Sequence, residues 1–105
     1  MTASRTHTQI ELPIVHRIIT NGLKAGYAVS VFDGEEWALK RSTKRRDIYA
    51  ALASTDSDQI RFCNASDGRL IGTILFIWGN GQDVVSDYTD KPEIEALVGP
   101  IGDGN

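Results

Sequence analysis

In "ELPIVHRIITNGLKAGY" the apolar residues Ile14, Val15, Ile18, Ile19 and Leu23 recur at spacings of one, three and four. That period draws one stripe along a helix and leaves Arg17, Thr20, Asn21 and Lys24 to face water. Pro13 suits the first turn of such a helix, and Gly26 suits the position just past its end. The period then changes to two. Tyr27, Val29 and Val31 share one face of a strand, Asp33-Gly34 supplies a turn, and Trp37 and Leu39 resume the alternation, which predicts a β-hairpin. In "STKRRDIYAALASTD", Ser42 or Thr43 stands as a cap before the short stripe Ile48, Ala51 and Leu52, and "STDSD" closes it. A second helix of about ten residues is predicted there.

The stretch "DQIRFCNASDGRLIGTILFIWGNGQDVVSDY" reads as three strands joined by "ASDG" and "GNG". From Leu70 to Trp78 both faces are apolar, interrupted only by Gly72 and Thr73, so this strand is expected to be central and covered on both sides. In "DKPEIEALVG", Asp90 is placed as a cap, Pro92 and Glu93 in a first turn, and Ile94, Leu97 and Val98 facing inward, predicting a short third helix. The order α-β-β-α-β-β-β-α with tight connections implies an α+β fold: a mostly antiparallel sheet of about five strands with helices packed on it. Residues 1–9 read as a polar arm, 10–99 as one domain and 100–105 as a short tail.

Composition narrows this picture. At 105 residues the chain holds one core, and 41% hydrophobic with 24% charged residues is a globular composition. No apolar run approaches the roughly 20 residues that span a bilayer, and "MTASRTHTQ" has no apolar stretch of a secretory signal, so a cytoplasmic protein is expected. Cys63 is the single cysteine, which excludes an internal disulfide and a multi-cysteine metal site. The net charge of −3 is unevenly spread: residues 1–46 carry +4 and residues 47–105 carry −7.

Much of the positive charge lies in "KRSTKRRD", residues 40–47. Cations in the first turn of a helix oppose its dipole by a few tenths of a kcal/mol each. Such a local conflict marks a candidate anion site, here Lys40, Arg41, Ser42, Thr43, Lys44, Arg45 and Arg46, with phosphate or nucleic acid as ligand. The plainer account is a solvated segment whose charges pair with Asp47, Glu35 or Glu36. Trp37 and Tyr49 stand beside the run for base stacking, but both fit the apolar periodicity of their elements, the remaining cations are scattered, and the chain is acidic.

A second candidate is "QDVVSDYTDKPEIE". On one strand Asp83 and Asp87 would share a face, and with Asp90 they would suit a small enzyme using Mg²⁺ or Ca²⁺. The spacing does not match a calcium-binding loop, and helix capping by Asp90 with Glu93 on the dipole explains the acids more simply. His7 falls in the polar arm and His16 on the outer flank of the first helix, neither beside a nucleophile and acid. Cys63 reads as a packed thiol, and "GNGQD" lacks the residues of a phosphate loop. A non-enzymatic protein without metal or cofactor is the expectation. The two-faced strand suggests association instead, with Ile71, Leu75, Ile77 and Trp78 as an interface to a protein partner, most simply a symmetric homodimer.

The segments "AGYAVSVFDGEEWALKRST", "LASTDSD" and "IWGNGQDVVSDYT" resemble small uncharacterised proteins of proteobacterial phages and prophage-like elements, over about residues 10–90. The resemblance transfers no residue role. It implies a small non-catalytic module that binds and modulates a host protein.

Overall fold

In the computed structural model, which describes residues 10–52, 56–79 and 81–102, the first apolar stripe forms helix α1, Leu12–Lys24. Val15, Ile18, Ile19 and Gly22 are buried along it, Pro13 sits in the first turn, and Gly26 follows the last turn at φ +91. Of the polar positions expected in water, Arg17 and Lys24 are exposed, whereas Thr20 and Asn21 are half-buried. The polar arm with His7, and residues 103–105 of the expected tail, lie outside the described residues, as do 53–55 of "STDSD" and 80 of "GNG".

The chain continues through β1, Tyr27–Phe32, and β2, Trp37–Ser42, as the predicted hairpin. Asp33 Oδ1 accepts the backbone N–H groups of Glu35 and Glu36 at 2.9 and 3.0 Å, and these bonds hold its carboxyl below the usual range. Helix α2, Arg45–Ala51, has seven residues rather than about ten. Neither Ser42 nor Thr43 caps it: Lys44 occupies the cap position without a side-chain bond, and Ser42 Oγ instead accepts the Lys44 N–H at 3.1 Å in a turn ahead of the helix. The last elements are β3, Ser57–Asn64, β4, Leu70–Ile77, a 3₁₀ turn at Gly81–Asp83, β5, Val85–Tyr88, and α3, Pro92–Gly102. Helix α3 thus runs into the segment read as a tail.

All strand pairs are antiparallel, in the order β2-β1-β3-β4-β5, which makes the fold α+β. The register sorts residues by face. Val29 lies opposite Phe62 and Ile60 opposite Ile74, and these join Val15, Ile18 and Ile19 of α1, Ile48 of α2, and Ile94 and Leu97 of α3 in one core. All three helices therefore cover the same face of the sheet. Approach is closest where glycines allow it: a Cβ on Gly22 would stand 2.5 Å from Phe62 Cε1, and one on Gly72 would meet Ile94. No described helix is long and apolar enough to cross a membrane.

The opposite face has no described helix on it. Among the described residues strand β4 is consequently covered by helices on one side only, contrary to the expectation from its two apolar faces. Ile74 and Phe76 are fully buried, whereas Leu75 and Ile77 are half-buried on the open side.

The β1–β2 pairing carries an irregularity with consequences for this open face. Val29 pairs with Ser42 and Val31 with Leu39, so two steps along β1 match three along β2, and the bulge falls at Lys40–Arg41. Arg41 adopts φ +51, the left-handed region, and among the described residues no other non-glycine does so. Its N–H donates to Ser30 Oγ at 2.9 Å, which ties the bulge to β1. A side chain in this region costs roughly 1 kcal/mol that glycine does not. Arg41→Gly is therefore expected to stabilise the fold by about 1 kcal/mol, raising Tm by about 4–8 °C in a thermal melt; an unchanged or lower Tm contradicts the strain.

Candidate functional site

In a regular strand Lys40 and Arg41 would point to opposite faces. The bulge removes that alternation, and both side chains line one cavity of about 170 Å³ on the open sheet face. Ser30, Trp37, Arg61 and Cys63 complete its wall. Arg61 arrives from β3, where register places it opposite Ser30 and Thr73 and away from the core. Its guanidinium carbon lies 4.5 Å from the centre of the Trp37 ring, a cation–π contact. Phe32 packs against Trp37 at a centroid distance of 5.1 Å. Arg61 is thus held over the Trp37 ring, and its Nε is buried with no hydrogen-bond partner among the described residues. Arg41 reaches over the β3–β4 turn, with Nη1 3.6 Å from where a Cβ on Gly68 would stand.

From this corner the open face runs on through Phe32, Gln59 and Leu75 to Thr73, Asp87 and Tyr88 at the β5 edge, along two further shallow depressions. Three cations, Lys40, Arg41 and Arg61, gather at one end, and no ion pair holds them among the described residues. The other end presents Asp87, which pairs in register with Leu75.

The basic run is therefore divided by the fold. Lys40 and Arg41 belong to the open face. Thr43 and Arg45 line a separate groove with Thr20, Leu23 and Lys24, between the end of α1 and the start of α2, on the helix side of the molecule. Ser42 serves the turn before α2, and Lys44 and Arg46 are exposed. Among the described residues the seven do not line one cavity.

The interface residues divide too. Leu75 and Ile77 lie on the open face, but Ile71 is buried in the core at 3% exposure. Trp78 packs against the core on the helix side, where its Nε1–H donates to Asp58 Oδ2 at 2.8 Å. The acidic candidates are dispersed: Asp83 ends the 3₁₀ turn rather than lying on a strand with Asp87, and Asp90 hydrogen-bonds the Glu95 carboxyl, which raises the pKa of Glu95. Among the described residues no three His, Cys, Asp or Glu side chains gather closely enough to hold a metal ion.

His16 is not on an outer flank. Its ring stacks on Tyr49 of α2 at 3.6 Å and 9°, Tyr49 shares a 3.3 Å hydroxyl contact with Thr20, and burial lowers the His16 pKa. It joins two helices as a packed ring. Ser30 and Arg61 were not singled out by sequence reasoning. The available signal was the alternation in "QIRFCN", which sets Arg61 on the face opposite Ile60 and Phe62; only the strand order then brings it to Lys40 and Arg41. Compared with family models, characterised proteins and solved structures, the chain matches none.

Proposed function

We propose that the chain is a non-catalytic interaction module that docks a protein partner on its open sheet face. One observation carries this reading: the described helices cover one face of a five-stranded sheet, while the half-buried Phe32, Leu75 and Ile77 lie on the other beside three cations that form no ion pair among the described residues. Half-buried apolar side chains beside polar ones are what an interface core with a polar rim requires. Five strands and about six residues per strand span about 24 by 20 Å. A contact confined to that area falls at the small, transient end of protein interfaces. The resemblance to phage and prophage proteins directs the search for a partner to host proteins.

Nucleic acid is the rival ligand. Two features weigh against it: the Trp37 ring is already engaged by Arg61 and Phe32, which leaves less of it to stack on bases, and the cations occupy one corner instead of a track. Metal-dependent catalysis draws no support from the dispersed Asp83, Asp87 and Asp90.

Affinity purification from host lysate, with and without nuclease, tests the reading when wild type is compared with Leu75→Glu on the open face and Ala50→Glu on exposed α2. A protein retained by wild type and Ala50→Glu in both conditions, and lost with Leu75→Glu, is the expected result. Retention indifferent to Leu75→Glu, or abolished by nuclease, overturns it.

A further inference from the structure

The geometry points to the cavity between β2, β1 and β3 as a carboxylate-reading pocket, in which Lys40, Arg41 and Arg61 engage an acidic side chain of a partner segment whose apolar neighbours lie on Phe32, Leu75 and Ile77. This assignment rests on the docking reading above and adds the chemistry of the occupant.

Two features support a pocket constructed for charge. The Lys40–Arg41 bulge turns two cations onto one cavity at the expense of a left-handed Arg41, and strain retained at one position is a mark of function when the surroundings enforce it, as the Ser30 hydroxyl does here. Arg61 is held over the Trp37 ring by a cation–π contact, which lowers the entropy lost when its fork receives a carboxylate.

The identity of the occupant follows from the rest of the face. A nucleic-acid strand would carry phosphates onward from the pocket, across Phe32 and Leu75 toward Asp87, where apolar and acidic side chains offer them nothing. A second copy laid face to face would bring Lys40, Arg41 and Arg61 of each chain against a surface whose described acid is Asp87, so like charges predominate. A polypeptide with a carboxylate beside apolar residues matches both halves.

Fluorescence anisotropy at low ionic strength tests the assignment, using a short labelled peptide that alternates glutamate and leucine, the same peptide with glutamine for glutamate, and a labelled oligothymidylate. The glutamate peptide is expected to bind best and to weaken at least about tenfold in Arg61→Gln, in exposed Lys40→Gln and in Arg41→Gly, the loss being that of one charge-assisted hydrogen bond. Arg41→Gly is the control for folding, because its Tm is expected to rise while binding falls. Equal binding of the glutamine peptide overturns the carboxylate assignment and leaves the docking reading standing. Tighter binding of oligothymidylate overturns both. Absence of binding by the glutamate peptide overturns the pocket alone, since Leu75→Glu tests the face independently.

Discussion

Replacing Glu11 with leucine is expected to cost about 3 kcal/mol and to lower Tm by about 12–24 °C. Glu11 is fully buried just before α1, and its Oε2 accepts the N–H groups of Gly79 at 2.7 Å and Gly81 at 2.6 Å. One side chain thereby ties the start of the first helix to the β4–β5 connection, positions 68 and 70 residues apart. Hydrogen bonds to a charged group are worth about 1.5–3 kcal/mol each. Leucine recovers part of this by apolar burial but leaves two donors unmatched. Glu11→Gln, which retains an acceptor oxygen, is expected to fall between leucine and wild type. Chemical denaturation of the three proteins checks the order; a leucine variant within about 1 kcal/mol of wild type would mean that the connection is held by other contacts.

Gly22→Ala is expected to destabilise the protein although the position lies within a helix, where alanine is intrinsically better than glycine by about 1 kcal/mol. At Gly22 an added methyl would lie 2.5 and 2.9 Å from Phe62 Cε1 and Cδ1. Phe62 is fully buried, opposite Val29 and Gly72 in the sheet, and its ring cannot retreat without disturbing the core. Overpacking of this kind costs about 1–3 kcal/mol beyond the propensity gain. Gly22→Ala is thus expected to destabilise despite its better helix former. Adding Phe62→Leu should return part of the loss, a non-additivity that denaturant titration of the four proteins reads directly. A gain in stability for Gly22→Ala would show that α1 does not ride against β3 at this point.

The open face and its pocket differ from these packing features in how far they could be read ahead. The run at 40–46 drew attention because its charge opposes a helix start, and the anomaly proved to have two components. Lys40 and Arg41 occupy a bulged strand, while Thr43 and Arg45 line a groove between α1 and α2. Sequence proximity grouped them; the turn at Ser42–Lys44 parts them. Conversely, Arg61 is remote in sequence and adjacent in space, because β3 pairs with β1 rather than with β2.

What the sequence alone determined is the element order, the hairpins, the inward stripe of each helix and the α+β class, all of which follow from periods of 3.6 and two and from local turn residues. Helix ends were less legible: α2 begins later and α3 runs further than their capping residues suggested, since tertiary contacts outweigh the fraction of a kcal/mol that a cap or dipole contributes. Only the tertiary structure decided which apolar strand face is covered, why Ile71 and Trp78 turn inward while Leu75 and Ile77 do not, and that His16 stacks between helices. It also decided the pocket. Periodicity specifies that a side chain leaves one face of its strand, but which chain lies beside it depends on strand order and on a one-residue bulge, and both are set by long-range pairing.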